Sequence, residues 1–182
     1  MVAPRERVLS TPPTVADSPP ALQTVTFDAA MEARIAELLQ RYPTTRAAIL
    51  PLLWLCQERF GWISAGIVRA VAERLRERQA FVQGVVSFYT MYYTSPPARH
   101  VLKLCTTLSC SVCGGRKLVE YLRERLGISF GETTPDGRFQ LVGVQCLGAC
   151  GSAPVVQIND EYYENLNPAR LGAILDKLTE GD

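Results

Sequence analysis

Five of the six cysteines fall between residues 105 and 150, in two short runs: Cys105-Thr-Thr-Leu-Ser-Cys110 and Cys146-Leu-Gly-Ala-Cys150, with Cys113 just after the first. The sixth, Cys56, stands alone in an apolar stretch and reads as core, where free cysteines often lie. An even count is compatible with disulfides. However, the N-terminus shows no secretory apolar segment, and the spacing is clustered rather than spread. Such a cluster points to metal or redox chemistry.

The spacing admits four readings. In the first, C-x4-C and C-x3-C each sit where a strand gives way to a loop, and adjacent strand ends bring four thiolates around one site. Soft thiolates in fours select zinc or an iron–sulfur cluster. The second is the plant-type spacing Cys105-x4-Cys110-x2-Cys113 followed by Cys146. It leaves Cys150 free and must accommodate a helix directly after Cys113. The third is structural zinc, which more often uses C-x2-C knuckles. The fourth is a thioredoxin-like dithiol, Cys110-Ser-Val-Cys113, opening a helix after a strand, with Ala153-Pro154 facing it.

The residues between the cysteines favour a cluster. Thr106, Thr107, Ser109, Ser111, Gly114, Gly115, Gly148, Ala149, Gly151 and Ser152 are small. Small residues let backbone N–H groups approach cluster sulfurs, and such bonds tune the reduction potential. Lys103, Arg116, Lys117 and the positive end of a helix beginning at 116 are placed to offset negative charge.

The rest of the chain supplies a scaffold in an α+β arrangement. Residues 1–25 hold five prolines and read as a flexible tail. Arg5 and Arg7 hint at a transit peptide, which Glu6, Asp17 and the prolines argue against. Residues 26–93 read as a helical bundle. Phe27, Met31, Ile35, Leu38 and Leu39 recur at helical spacing. A second helix runs from a Thr44 or Thr45 cap to Phe60, kinked or delayed by Pro51. Ser64 caps a third, and Ala80–Tyr92 forms a fourth. Residues 94–99 are a linker.

Residues 100–182 read as strand His100–Cys105, helix Arg116–Leu126, strand Phe139–Cys146, a hairpin of Pro154–Ile158 and Glu161–Tyr163 about Asn159-Asp160, and a last helix from Asn167-Pro168. A small sheet with helices packed on it follows. Phe88, Tyr89, Tyr92 and Tyr93 are expected to fill a helical core with one edge wet. The charged run Glu73–Arg78 is expected on a solvated helix face, and His100 at a strand edge.

Charge excludes other classes. Nineteen basic residues face eighteen acidic ones, without the basic bias of a nucleic-acid binder. No apolar run reaches the length of a membrane span. A single histidine cannot build a His-rich zinc site. No dinucleotide-binding glycine motif appears, so the chain is not expected to bind NADH alone, and no catalytic residue is assigned.

The two cysteine runs, with Val144-Gln-Cys146-Leu-Gly-Ala-Cys150-Gly-Ser-Ala-Pro154, resemble the thioredoxin-like [2Fe–2S] subunit of the NADH-dehydrogenase module of respiratory complex I, the 24 kDa subunit family. The similarity takes in Gly61-Trp62-Ile63, Gly84-Val85-Val86-Ser87-Phe88-Tyr89 and Pro154–Asn159, and covers about residues 28–178. The resemblance implies a helical N-terminal region followed by a thioredoxin-like α/β domain. It implies one [2Fe–2S] cluster on Cys105, Cys110, Cys146 and Cys150. It also implies a flavoprotein partner subunit carrying FMN and NADH, further iron–sulfur subunits, and a cytoplasmic place on the inner face of a membrane through the complex. The same subunit type occurs in NAD-reducing hydrogenases and NAD-dependent formate dehydrogenases. Cys113 departs from the family pattern and is expected to be no ligand. The proline-rich tail lies outside the resemblance.

Overall fold

The computed structural model describes residues 25–181; the tail expected over residues 1–25 lies, but for Val25, outside them. The chain divides into two compact units, with a border between Pro97 and Ala98.

The first unit is helical: α1 (Ala29–Gln40), a 3-10 turn (Thr45–Ala48), α2 (Ile49–Phe60), α3 (Ala65–Leu75) and α4 (Gln79–Phe88). Its helix starts follow side-chain chemistry. Asp28, Thr44 and Ser64 accept hydrogen bonds from the N–H groups of Met31, Ala47 and Ile67, which satisfies donors that an open first turn leaves without partners. Pro51 lies in the first turn of α2, where its missing N–H costs no helical bond. The 3-10 turn before it absorbs the delay anticipated there. Gly61 ends α2 at φ 84°, a conformation that glycine adopts without strain.

The core of this unit joins Ile35, Leu52, Leu53, Cys56, Val68, Val71, Leu75 and Val82. Beneath it, Gln57 clamps the segment after α4: its amide donates to the Met91 carbonyl at 3.0 Å and accepts from the Tyr93 N–H at 2.7 Å. The Tyr92 hydroxyl donates to the Leu50 carbonyl at 2.8 Å.

Two expectations for this region need correction. The fourth helix stops at Phe88 rather than Tyr92, because Tyr89 turns extended at φ −91°, ψ 104°. Of the four aromatics expected in the core, Tyr92 is buried, whereas Phe88 is 77 % exposed and Tyr89 38 % exposed. The helix ends after its last core position, Val86, so these two rings fall beyond the core. The charged run does face solvent at Glu73, Arg76 and Arg78; Arg74 pairs with Glu32 at 3.0 Å and Arg46 with Glu77 at 3.8 Å.

The second unit is α+β. It contains β1 (His100–Cys105), a single helical turn α5 (Leu108–Cys110), a wide π-type turn (Ser111–Gly115), α6 (Arg116–Leu126), β2 (Phe139–Val144), β3 (Val156–Ile158), β4 (Glu161–Tyr163) and α7 (Pro168–Glu180). The sheet runs β2-β1-β3-β4. Strands β1 and β2 are parallel, whereas β3 pairs antiparallel with both β1 and β4.

Along β1 the side chains alternate between faces. Leu102 and Leu104 join Leu141, Val156 and Ile158 in a core shared with Leu118 and Leu122 of α6 and Leu171 and Leu175 of α7. The opposite parity sends Cys105 away from that core. Asn167 caps α7, with Pro168 at its first position. His100 is buried against Phe139 at the start of central strand β1, with ring centroids 5.3 Å apart. At this position β1 pairs with β2 through Phe139, whereas its register with β3 begins at Leu102; the expected edge position is buried within a central strand. No described helix is long and apolar enough to cross a membrane.

Candidate metal centre

Parallel pairing of β1 with β2 sets Cys105 opposite Val144. Both strands therefore end together, and both cysteine loops leave the sheet at the same place. Thr106 ties the two roots: its N–H and its hydroxyl both donate to the Val144 carbonyl, at 2.9 and 3.0 Å. Cys146 lies two residues beyond the end of β2, and Cys150 opens a short 3-10 turn, Cys150–Ser152. Cys110 closes the α5 turn on the other loop.

Within this region Cys105 and Cys110 are buried at 3 % and 1 % exposure, packed with Val155 against Leu147, Ala149 and Ala153. Cys146 and Cys150 are exposed. The four thiols thus form a buried pair and an exposed pair. The Cys105 thiol lies 3.7 Å from the Gln145 carbonyl on the opposite loop. The Cys105 and Cys110 thiols share a hydrogen bond, and Cys150 acts electrostatically on Cys110. All five cysteines of this unit are free thiols.

Backbone donors reach the sulfurs. Gly148 N–H donates to Cys146 Sγ at 3.3 Å. The N–H groups of Thr107 and Leu147, with the Thr107 hydroxyl, reach Cys105, and the Val155 N–H reaches Cys110. The effect on acidity differs between the two buried thiols. Burial raises Cys105, but hydrogen bonds from Thr107, Cys110 and Leu147 outweigh it and hold the thiol below its ordinary value. At Cys110 burial dominates, opposed by the Val155 N–H and assisted by Cys105 and Cys150, and the thiol is pushed up to about 11.

The donor set suits a binuclear iron–sulfur cluster. The four thiols lie on the two loops that leave the joined ends of β1 and β2, and the Gly148 N–H points at the Cys146 sulfur. Among the described residues no three His, Cys, Asp or Glu side chains close around a single-ion site.

Cys113 is exposed on the π-type turn. Cys56 is 0 % exposed in the helical unit. Arg116 and Lys117 are exposed, and the Arg116 guanidinium donates to the Ser111 hydroxyl at 3.3 Å rather than to any sulfur. The donors Leu147 and Val155 escaped sequence reasoning, because a backbone N–H is available at nearly every residue and only the folded loops aim it.

The profile of a family described as thioredoxin-like [2Fe–2S] ferredoxin matches residues 35–179. Among curated proteins, the chain is 43 % identical over 150 residues to NADH-quinone oxidoreductase subunit 2 of Thermus thermophilus, covering 81 % of this chain and 83 % of that protein. It is 42 % identical over 146 residues to an NADH-quinone oxidoreductase subunit of Rhizobium meliloti, covering 80 % and 87 %. It is 36 % identical over 153 residues to an NADH-quinone oxidoreductase subunit of Aquifex aeolicus, covering 84 % and 96 %. Among solved structures, an air-oxidised NAD+-reducing [NiFe]-hydrogenase shares the fold, with a TM-score of 0.64 at 22 % identity over 73 % of this chain. The chain spans about a quarter of that hydrogenase chain, at 23 %.

Proposed function

The chain belongs to the thioredoxin-like [2Fe–2S] ferredoxin family, and from that premise we propose that it is the electron-carrying subunit of an NADH:quinone oxidoreductase. Its second unit holds one [2Fe–2S] cluster on Cys105, Cys110, Cys146 and Cys150. The observation that carries this reading is the pairing of the two cysteine loops at the joined ends of β1 and β2, with N–H donors aimed at their sulfurs.

When bound, the cluster supplies a site for one electron. The protein's own residues do the rest. The four thiols hold it, and Gly148, Thr107, Leu147 and Val155 direct hydrogen-bond donors at the ligand sulfurs, which favours the more negative, reduced state. The exposed pair, Cys146 and Cys150, lies toward solvent and presents the side from which electrons enter or leave.

FMN and NADH belong on a flavoprotein partner subunit, with further iron–sulfur subunits in the same complex. The whole sits peripherally at the inner, cytoplasmic face of a membrane. A second reading, the equivalent subunit of an NAD-reducing hydrogenase or NAD-dependent formate dehydrogenase, follows from the family resemblance; the fold shared with an NAD+-reducing hydrogenase fits the first of these. A dithiol acting through Cys110 and Cys113 fits less well. An attacking thiol needs a lowered pKa and access, whereas Cys110 is buried and raised.

The test is low-temperature EPR of the anaerobically purified chain, before and after dithionite. A silent oxidised form and a reduced S = 1/2 signal, with two irons and two sulfides per chain, are expected. Silence in both states overturns the reading.

A further inference from the structure

The chain must pass from Cys110 into α6 within five residues, and it does so through two consecutive glycines with different roles. Gly114 takes the left-handed conformation at φ 106°, ψ 10°, which L side chains disfavour; a Cβ there would meet nothing within 4 Å. Gly115 has ordinary helical geometry, φ −55° and ψ −35°, so its backbone would suit any residue. Yet it is buried, and a Cβ on it would lie 2.7 Å from the Cys110 carbonyl oxygen, 3.0 Å from the carbonyl carbon and 3.6 Å from the Cys110 Cβ. The atoms in the way are backbone and cannot swing aside. The widened π-type turn between them is a form that recurs at functional sites.

We propose that Gly115 is a positioning residue for the Cys110 sulfur: its missing side chain lets the first turn of α6 rest directly on the Cys110 peptide and fixes where that thiol stands in the site. This rests on the proposed ligand role of Cys110. The contact is specific in a way that strain is not. Any side chain at 115 pushes on Cys110 itself, whereas a side chain at 114 strains the turn and touches nothing.

Gly115→Ala and Gly114→Ala are compared with the unaltered full chain and with Cys110→Ser, by reduced-state EPR and by the midpoint potential of the cluster. Gly115→Ala is expected to shift the g values and the midpoint potential, and Gly114→Ala to lower thermal stability while leaving both in place. Unchanged g values and potential in Gly115→Ala, or equal shifts in both glycine variants, overturn the proposal. Should Gly115→Ala retain no cluster, alkylation of the cluster-free full chain by iodoacetamide, read by mass spectrometry, decides. Tenfold faster reaction at Cys110 with Cys56 still protected supports the positioning role. An unchanged rate at Cys110, or Cys56 and Cys110 unmasked together, overturns it. A complete cluster in Cys110→Ser overturns instead the ligand assignment beneath it, so the two failures are distinguishable.

Discussion

Cys56 in the helical unit and Cys105 in the sheet unit are both almost wholly buried, at 0 % and 3 % exposure. Their acidities move in opposite directions. Around Cys56 burial acts alone and pushes the thiol up to about 12. At Cys105 burial also raises the thiol, but the donors of Thr107, Cys110 and Leu147 reverse the outcome. The surroundings explain the difference. Cys56 sits mid-helix in α2, where neighbouring N–H groups are committed to the helix, in a core made mostly of Leu, Val and Ile. Cys105 ends a strand beside two irregular loops, whose Thr107 and Leu147 N–H groups turn to its sulfur. Burial among side chains makes a thiol inert. At Cys105 the loop amides outweigh burial and prepare a thiolate, the form that binds metal, whereas at Cys110 burial outweighs the Val155 N–H and the thiol stays raised.

The largest test of this contrast is cluster content. Cys110→Ser or Cys105→Ser is expected to lose the cluster, whereas Cys56→Ala and Cys113→Ser keep full iron and sulfide and the reduced EPR signal. Loss in Cys56→Ala with the helices still folded would break the distinction between the two kinds of buried cysteine. Loss in Cys113→Ser would mean that the ligand set is misassigned.

Next in size is packing. Leu53 is 0 % exposed in the helical core, and Leu53→Ala is expected to cost about 2–5 kcal/mol in denaturant unfolding followed by circular dichroism. The cluster spectrum should be unaltered, since the residue belongs to the core of the other unit. A changed cluster spectrum would show the two units to be energetically coupled.

A smaller effect follows from pH. The native state holds the Cys56 proton more tightly than the unfolded chain, whose thiol titrates near 9.0. The contribution is therefore complete below pH 9 and is lost as pH rises toward 12, at up to about 1.4 kcal/mol per pH unit. Tyr92, pushed from 10.0 to about 12 by burial, then by Tyr89 and Cys56, adds to the alkaline loss. Stability measured between pH 8 and 11 should fall less steeply in Cys56→Ala than in the unaltered chain. Equal slopes would remove burial as the cause.

The smallest expected effect concerns the Thr107 hydroxyl, which reaches Cys105 and leaves the α5 turn without a side-chain cap. Thr107→Val should lower the midpoint potential by less than about 60 mV, a tenfold change in a one-electron equilibrium. Thr107→Ser should restore it. A potential that ignores both variants would confine the tuning to backbone donors.

Much of the scaffold was readable because its signals are local. The Arg116–Leu126 helix and its Gly127 stop, and the Asn167-Pro168 start of α7, rest on periodicity and capping within one turn. The misreadings occur where a distant partner decides. The pattern Ala80–Tyr92 is apolar enough to continue α4, but Gln57, far away in sequence, takes up the Met91 carbonyl and the Tyr93 N–H and stabilises a non-helical path. His100 opens an apolar run with nothing to mark its strand as central; the pairing of β1 with both β2 and β3 does so.

At the centre, residue order fixed which side chains are available: five thiols, four of them in C-x4-C and C-x3-C pairs, surrounded by residues small enough for close approach. It also determined that strands precede both loops. Tertiary structure decided the rest: which two thiols are buried, which amides face them, and that Gly115 rather than its neighbour abuts Cys110. The reason is geometric. Spacing along a chain constrains the reach of a loop, whereas the direction of an N–H or the clearance around a Cβ depends on atoms brought together only by pairing β1 with β2 and packing α6 on the sheet.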